Sequence, residues 1–273
     1  MAIPKTDRRL ALSQSMLDHD TMAADLDMAK ESGAHALGLY SPMVRQVGPK
    51  EAVRLLRERD LGVTSIHLGL KVMEMDDEGA DAALRESLEL AAAVGSPIAP
   101  VSAGSSGDRT TAEADATYTR RLARVAPLAK DLGVTMGIEP IHPFLHTAGF
   151  VHTIRHAARI ASQMENCGII VDVAHLYWDG DFEADLRAHG DMVCLVQIAD
   201  LDRQALAERR WGRAQLGAGV VPIARMVCAL DAAGFGGAYE SELLLRLPHD
   251  ASIEAARASR LWFEQMWLEA PAR

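Results

Sequence analysis

Glu139, Asp172, Gln197 and Glu242 are the side chains whose type and placing suggest chemistry in this sequence. Each closes a short apolar run: Val134-Thr135-Met136-Gly137-Ile138-Glu139, Cys167-Gly168-Ile169-Ile170-Val171-Asp172, Met192-Val193-Cys194-Leu195-Val196-Gln197 and Gly237-Ala238-Tyr239-Glu240-Ser241-Glu242. A carboxylate at the end of a buried strand is costly unless something pairs with it. Gathered in one pocket, the three carboxylates would repel one another unless a divalent cation sat among them. A hard-metal site is therefore the expectation, with Mg²⁺ or Mn²⁺ suited to an all-oxygen donor set. For any one of these carboxylates alone, the alternative is a salt bridge at the rim of the fold.

These residues can meet only if the elements carrying them converge. Apolar runs predict strands at 10–15, 34–39, 63–68, 97–102, 134–139, 168–172, 192–198 and 238–242. Helical stretches fall between them, near 20–32, 48–60, 79–94, 111–131, 149–164, 181–189, 220–233 and 252–268. In the fourth, Leu122, Val125, Ala126 and Leu128 are placed to share a face; in the last, Leu261, Phe263, Met266 and Trp267 would lie over a barrel wall. Ser32-Gly33, Asp60-Leu61-Gly62, Val94-Gly95, Asp131-Leu132-Gly133 and Ala233-Gly234 stand where helices should stop. Eight strand–helix pairs in 273 residues, with no Pro/Gly/Ser-rich linker, match one (β/α)₈ TIM barrel domain over 1–273. A doubly wound sheet is the rival, but no Gly-rich dinucleotide fingerprint follows the first strand. The Gly/Ser-rich stretch 102–107 lacks the Lys-Ser/Thr of a phosphate loop and reads as a βα connection.

Spacing agrees with a barrel. Glu139 and Asp172 are 33 positions apart and Asp172 and Gln197 are 25 apart, near the roughly 31 residues of one βα unit. Gln197 to Glu242 is 45 positions, which leaves room for a long loop across 200–218. Strand ends from successive units converge on one face of a barrel, so four residues distant in sequence can surround one ion.

Composition narrows the function classes. A formal net charge of −10 and the absence of a basic stripe argue against nucleic acid and anionic membranes as partners. The three cysteines, Cys167, Cys194 and Cys228, lie apart inside apolar segments without CxxC spacing, as reduced core thiols do. No stretch reads as a signal peptide or a bilayer span, and a cytoplasmic protein is expected.

Other polar residues surround the proposed centre. His142 and His175 each lie three positions beyond a proposed ligand and could act as general acid or base, or simply be hydrogen-bonded loop histidines. His67 ends the third strand, as a contact to a substrate hydroxyl or as a satisfied core residue. Arg213 could clamp a carboxylate, phosphate or enolate oxygen through its fork, or sit on the surface. Glu240 shares strand parity with Glu242 and would pair with a buried Arg or Lys. His152 and His156 have i, i+4 spacing but no HExxH glutamate, and read as a solvent-facing helix flank. Tyr177 and Trp178 follow His175, to wall the pocket or to pack.

The chain resembles the xylose isomerase-like barrels, a group of sugar isomerases, ketose 3-epimerases, inosose dehydratases and dehydroshikimate dehydratases. Ile138-Glu139-Pro140-Ile141-His142-Pro143 resembles the fifth-strand metal-ligand motif. Asp172-Val173-Ala174-His175 resembles a sixth-strand Asp-x-x-His whose Asp binds metal and whose His faces substrate. Arg213-Ala214-Gln215-Leu216-Gly217-Ala218-Gly219 is similar to an Arg followed by Gly-x-Gly, and 234–242 resembles the run that ends in the last metal Glu. The departure is Gln197, where ketose epimerases of this group carry His in a His-x-x-Asp setting; Asp200 is retained, and some dehydratases have Gln.

The resemblance implies a metal site of Glu139, Asp172, Gln197 and Glu242, catalysis by Glu139, Glu242 and His142, and substrate contacts from His67, His175 and Arg213. The expected reaction is proton transfer α to a carbonyl of a sugar or cyclitol through an enediolate, in an isomerase or epimerase. A β-eliminating lyase on the same site is the alternative that Gln197 favours. A non-catalytic sugar-binding subunit on the same barrel is the second. Substrate identity, a homo-oligomer and a partner subunit stay open, the apolar last helix with Trp262 and Trp267 serving either a core or an interface.

Overall fold

The computed structural model describes residues 10–17, 21–242 and 249–269 of the protein. Eight short parallel strands form its centre: β1 (Leu10–Ser13), β2 (Ala36–Tyr40), β3 (Gly62–His67), β4 (Ile98–Pro100), β5 (Thr135–Ile138), β6 (Cys167–Asp172), β7 (Val193–Ile198) and β8 (Tyr239–Ser241). Their hydrogen-bonded order is β3-β2-β1-β8-β7-β6-β5-β4. The seam falls between β3 and β4, which lie side by side without a ladder, so the sheet is a nearly closed (β/α)₈ barrel as expected.

Local chemistry sets the helix limits. Thr110 and Glu113 form a reciprocal capping box at the start of Thr111–Leu132, and that helix ends at Gly133 with φ +67°. Its buried face is Leu122, Val125, Ala126 and Ala129, whereas Leu128 is only partly covered. The helix expected near 149–164 is shorter, Ile154–Ala161, because Thr153 caps it by accepting from the His156 amide at 3.2 Å. The helix expected near 48–60 runs Pro49–Glu58 and stops within the expected stretch 60–62, where Asp60 takes the left-handed φ of +52° and Gly62 opens β3.

Three further departures are local. The span 200–218 contains the helix Arg203–Ala207 and a two-residue antiparallel ladder, Asp200–Leu201 against Arg213–Ala214. His152 precedes its helix and pairs with the Ile141 carbonyl at 2.8 Å, and His156 meets Asp115 at 2.6 Å, so neither is a free solvent flank. On the last helix, His249–Glu269, Phe263 and Trp267 are buried but Leu261 is exposed: two residues on a helix turn roughly 200°, which points Leu261 away from Phe263. The start of the first predicted helix, Asp20, lies outside the described residues.

Strand parity stacks the barrel interior in layers. Ile98, Ile170 and Leu195 form an apolar cluster inside the barrel, separate from the larger core between strands and helices. Two residues further along, Asp172 and Gln197 point the same way, one layer nearer the mouth. Gly137 makes this floor possible, since a Cβ there would lie 2.6 Å from Ile170 Cδ1. Gly137→Ala should therefore cost about 1–3 kcal/mol by overpacking, read as a lower urea midpoint, and Ile170→Val in the same chain should restore part of the loss.

Candidate active site

The register of β6, β7 and β8 decides which side chains share a level. Asp172 pairs with Gln197, and Gln197 pairs with Glu240, and all three are fully buried. Glu139 immediately follows β5 and Glu242 immediately follows β8, whose path is continued by the Glu242 amide donating to the Ile198 carbonyl at 3.0 Å. Arg213 Nη2 lies 3.3 Å from Asp172 Oδ2 and 3.3 Å from Glu242 Oε2. His175 Nε2 lies 3.5 Å from Asp172 Oδ2 and 3.7 Å from Glu139 Oε1. His67 Nε2 is 3.4 Å from Gln197 Nε2 and 3.5 Å from Glu240 Oε2.

His142 joins differently. Its backbone N–H donates to His175 Nδ1 at 3.3 Å, while its ring packs against Tyr177, Trp178 and Trp211. The ring's Nδ1 accepts from the Phe144 amide at 3.0 Å. Glu240 also departs from expectation: its partners are Thr64 and His67, not an Arg or Lys. Its carboxylate occupies space that Gly38 leaves open, where a Cβ would lie 2.7 Å from both oxygens.

Burial and crowding set the protonation states. Burial, then the charges of Glu242 and Asp172, push Glu139 well above the usual carboxylate range. Burial raises Glu242 to about 7, with Arg213 opposing. Asp172 is also desolvated, but His175, Arg213 and the Ala174 amide, which donates to Oδ1 at 2.7 Å, hold it below the usual range. Burial depresses His175 to about 4 against the pull of Asp172, so it is neutral near pH 7. His67 goes the other way: burial opposes its charge, but the bond to Glu240 and the charges of Glu240, Glu242 and Glu139 raise it to about 9.

Glu139, Asp172 and His175 each offer one ligand atom within 4.8 Å of the others, and together could hold a metal ion. The hydrogen bonding of His175 qualifies that set. Nδ1 accepts from the His142 amide, so the one proton of the neutral ring sits on Nε2, the nitrogen that faces both carboxylates. A protonated nitrogen donates and does not ligate. Gln197 Oε1, by contrast, is buried without a hydrogen-bond partner and offers a free lone pair at the level of Asp172. Converging carboxylates and an orphaned amide oxygen fit a hard divalent cation. Arg213 Nε and Nη1 are likewise buried without partners, leaving two donors for a ligand oxygen.

The loop that delivers Arg213 is organised by Asp200. Its carboxylate accepts from the amides of Leu201 at 2.8 Å, Gly217 at 3.1 Å, Gly219 at 2.9 Å and Val221 at 3.0 Å. Only glycine fits at 219, because a Cβ would lie 2.2 Å from Asp200 Oδ1. The same loop brings Trp211 over the site, stacked on His175 at 5.3 Å and 11°, with the Arg213 guanidinium 5.7 Å from its ring centre. Nothing in the local pattern around Trp211 marks it, and sequence reasoning passed over it.

The model of the family described as xylose isomerase-like TIM barrel matches residues 26–266. The chain belongs to that family. Among solved structures, protein SMc04130 from Sinorhizobium meliloti 1021 is 25% identical, covering 93% of this chain and 97% of that one with a TM-score of 0.83. The 3-keto-D-glucoside 4-epimerase YcjR from E. coli is 19% identical over 95% and 100% of the two chains, TM-score 0.78. The IolI protein, solved with a bound zinc atom, is 15% identical over 96% and 99%, TM-score 0.79. The last two likenesses establish shared fold. No curated protein matches the sequence. Among the described residues no helix is long and apolar enough to cross a membrane.

The raised Glu242 has a measurable signature. An acid with a higher pKa folded than unfolded binds its proton more tightly in the native state, so its contribution to stability is lost as pH rises. In chelator-treated protein, Glu242→Gln should gain stability relative to the wild type between pH 4.5 and about 7. Denaturant midpoints for both proteins across that window check it, and parallel curves would contradict it.

Proposed function

We propose that the protein is a divalent-metal-dependent isomerase or epimerase that transfers a proton α to a carbonyl of a sugar or cyclitol. The observation that carries this reading is the convergence of Glu139, Asp172 and Glu242 at the carboxyl end of the barrel, with Glu139 and Glu242 both pushed towards their protonated forms. Glu139, Asp172, Glu242 and Gln197 through Oε1 would hold the cation, an all-oxygen shell suited to Mg²⁺ or Mn²⁺. Bound there, a divalent ion supplies Lewis-acid stabilisation of charge developing on substrate oxygens.

The chain's own groups supply the rest. Glu139 and Glu242 arise from β5 and β8, with β6 and β7 between them, so they approach a substrate from different sides. One takes the proton from carbon and the other returns it: to the opposite face in an epimerase, to the neighbouring carbon in an isomerase. The unpartnered Nε and Nη1 of Arg213 supply donors and positive charge for an enediolate oxygen. His175, neutral with its proton on Nε2, and His67, beside Glu240 and Gln197, hold the carboxylates and substrate hydroxyls in place. His142 closes the wall above His175 and is the candidate for proton exchange with solvent, since burial and His152 depress its pKa and keep it neutral.

Gln197 supports a second reading. If the substrate carries a leaving group β to the carbanion, the same proton abstraction expels it and the enzyme is a lyase. Incubation of a ketose and cyclitol panel in ²H₂O distinguishes the two: an isomerase yields carbon-bound deuterium in an isomer of equal mass, a lyase an unsaturated product lighter by one water. Exhaustive chelation should abolish either activity and Mn²⁺ should restore it; unchanged turnover after chelation rejects the metal. Glu139→Gln and Glu242→Gln should each lower kcat at least about 100-fold, the scale of losing a general acid–base group, while the fold by circular dichroism stays intact.

A further inference from the structure

Among the described residues three large apolar side chains are exposed: Phe144, Trp178 and Leu261. Leu261 stands apart on the outer helix. Phe144 and Trp178, 51% and 41% exposed, belong to a cluster of rings that begins at the candidate centre. The imidazole of His175, which faces Glu139 and Asp172, lies 5.3 Å from the Trp211 ring at 11°; Trp211 in turn lies 6.3 Å from Phe144 at 18°. Three near-parallel planes thus lead from the buried carboxylates to a phenyl ring half in water. His142 ties Trp178 into the same wall, with ring centres 5.8 Å apart at 70°.

Two polar atoms of the wall are already committed. Trp178 Nε1 donates to the His175 carbonyl at 2.8 Å, and His142 Nδ1 accepts from the Phe144 amide. What the exposed rings present is therefore ring face and edge, suited to a flat, weakly polar group. A protein partner is a poor match, because a stable interface covers about 800 Å² on each side and two half-exposed rings offer a small part of that. Continuity with the candidate centre makes the occupant a portion of the same small molecule.

We propose that Phe144, Trp178 and Trp211 form a subsite for a flat apolar aglycone, so that the preferred substrate is a glycoside larger than a free monosaccharide. The subsite rests on the reading of the adjoining centre as one that handles a sugar. The rings of Phe144 and Trp178 supply affinity from outside; Trp211 joins them to His175 and sets the distance between aglycone and reacting sugar.

Calorimetric titration of the protein with phenyl and methyl β-D-glucosides, galactosides and mannosides tests the subsite. For at least one sugar the phenyl glycoside should bind about fivefold tighter than the methyl one, the scale of a single aromatic contact. In the Phe144→Ala/Trp178→Ala variant that ratio should fall to near unity. Equal binding of phenyl and methyl forms throughout the panel, no binding of any phenyl glycoside, or a ratio that survives in the double variant overturns it. A double variant with an altered oligomeric state and an unaltered ratio assigns the rings to a second copy of the chain, which also overturns it. Mn²⁺ binding, followed by electron paramagnetic resonance in the same samples, separates the two readings: phenyl preference without Mn²⁺ removes the metal and leaves the subsite, and Mn²⁺ without phenyl preference does the reverse.

Discussion

Like charges drawn together out of water repel one another, and the mouth of this barrel draws together Glu139, Asp172 and Glu242. At an effective dielectric of ~20, two unit charges ~4 Å apart interact by about 4 kcal/mol, enough to dictate protonation. Two responses relieve the repulsion. Glu139 and Glu242 move towards their neutral forms, and Arg213 places one nitrogen 3.3 Å from both Asp172 and Glu242. Asp172 alone stays readily ionised, because Arg213, His175 and the Ala174 amide all favour its charge. Pairs of titratable groups pushed apart in this way are what proton-transfer chemistry requires.

Holding that arrangement needs rigidity from below and from the side. From below, Ile98, Ile170 and Leu195 fill the barrel under the polar layer, and Gly137 yields the space for Ile170. From the side, Asp200 gathers the amides of Leu201, Gly217, Gly219 and Val221, and so fixes the loop on which Arg213 and Trp211 ride. The Gly-x-Gly spacing is thereby explained without reference to a ligand: Gly219 passes against the Asp200 carboxylate, and Gly217, at φ +83°, passes against Trp262. Trp262 thus braces the site loop from the last helix.

Much of this was legible in the chain. A carboxylate or amide ending an apolar run marks the carboxyl end of a strand, and spacings near one βα unit put those ends on one face; that is how Glu139, Asp172, Gln197 and Glu242 could be singled out together. Helix ends were legible where a capping box or a left-handed glycine signals them, as at Thr110 and Gly133. Where a signal was shared, reading went astray. Thr153 starts a helix later than its apolar pattern implies. Leu261 had the right polarity but the wrong angle around its helix.

The barrel, the strands that carry each candidate residue and the level at which they stop follow from the chain alone, because period, length and turn chemistry are local properties. Which groups touch is settled by packing in three dimensions. Glu240 turns to Thr64 and His67, His175 takes its tautomer from the His142 amide, and Trp211 stacks between His175 and Phe144 from a loop with no periodicity to betray it. Those pairings join residues from different units of the barrel, and the forces that select them (desolvation, charge and ring packing) act across space, with no trace in the spacing along the chain.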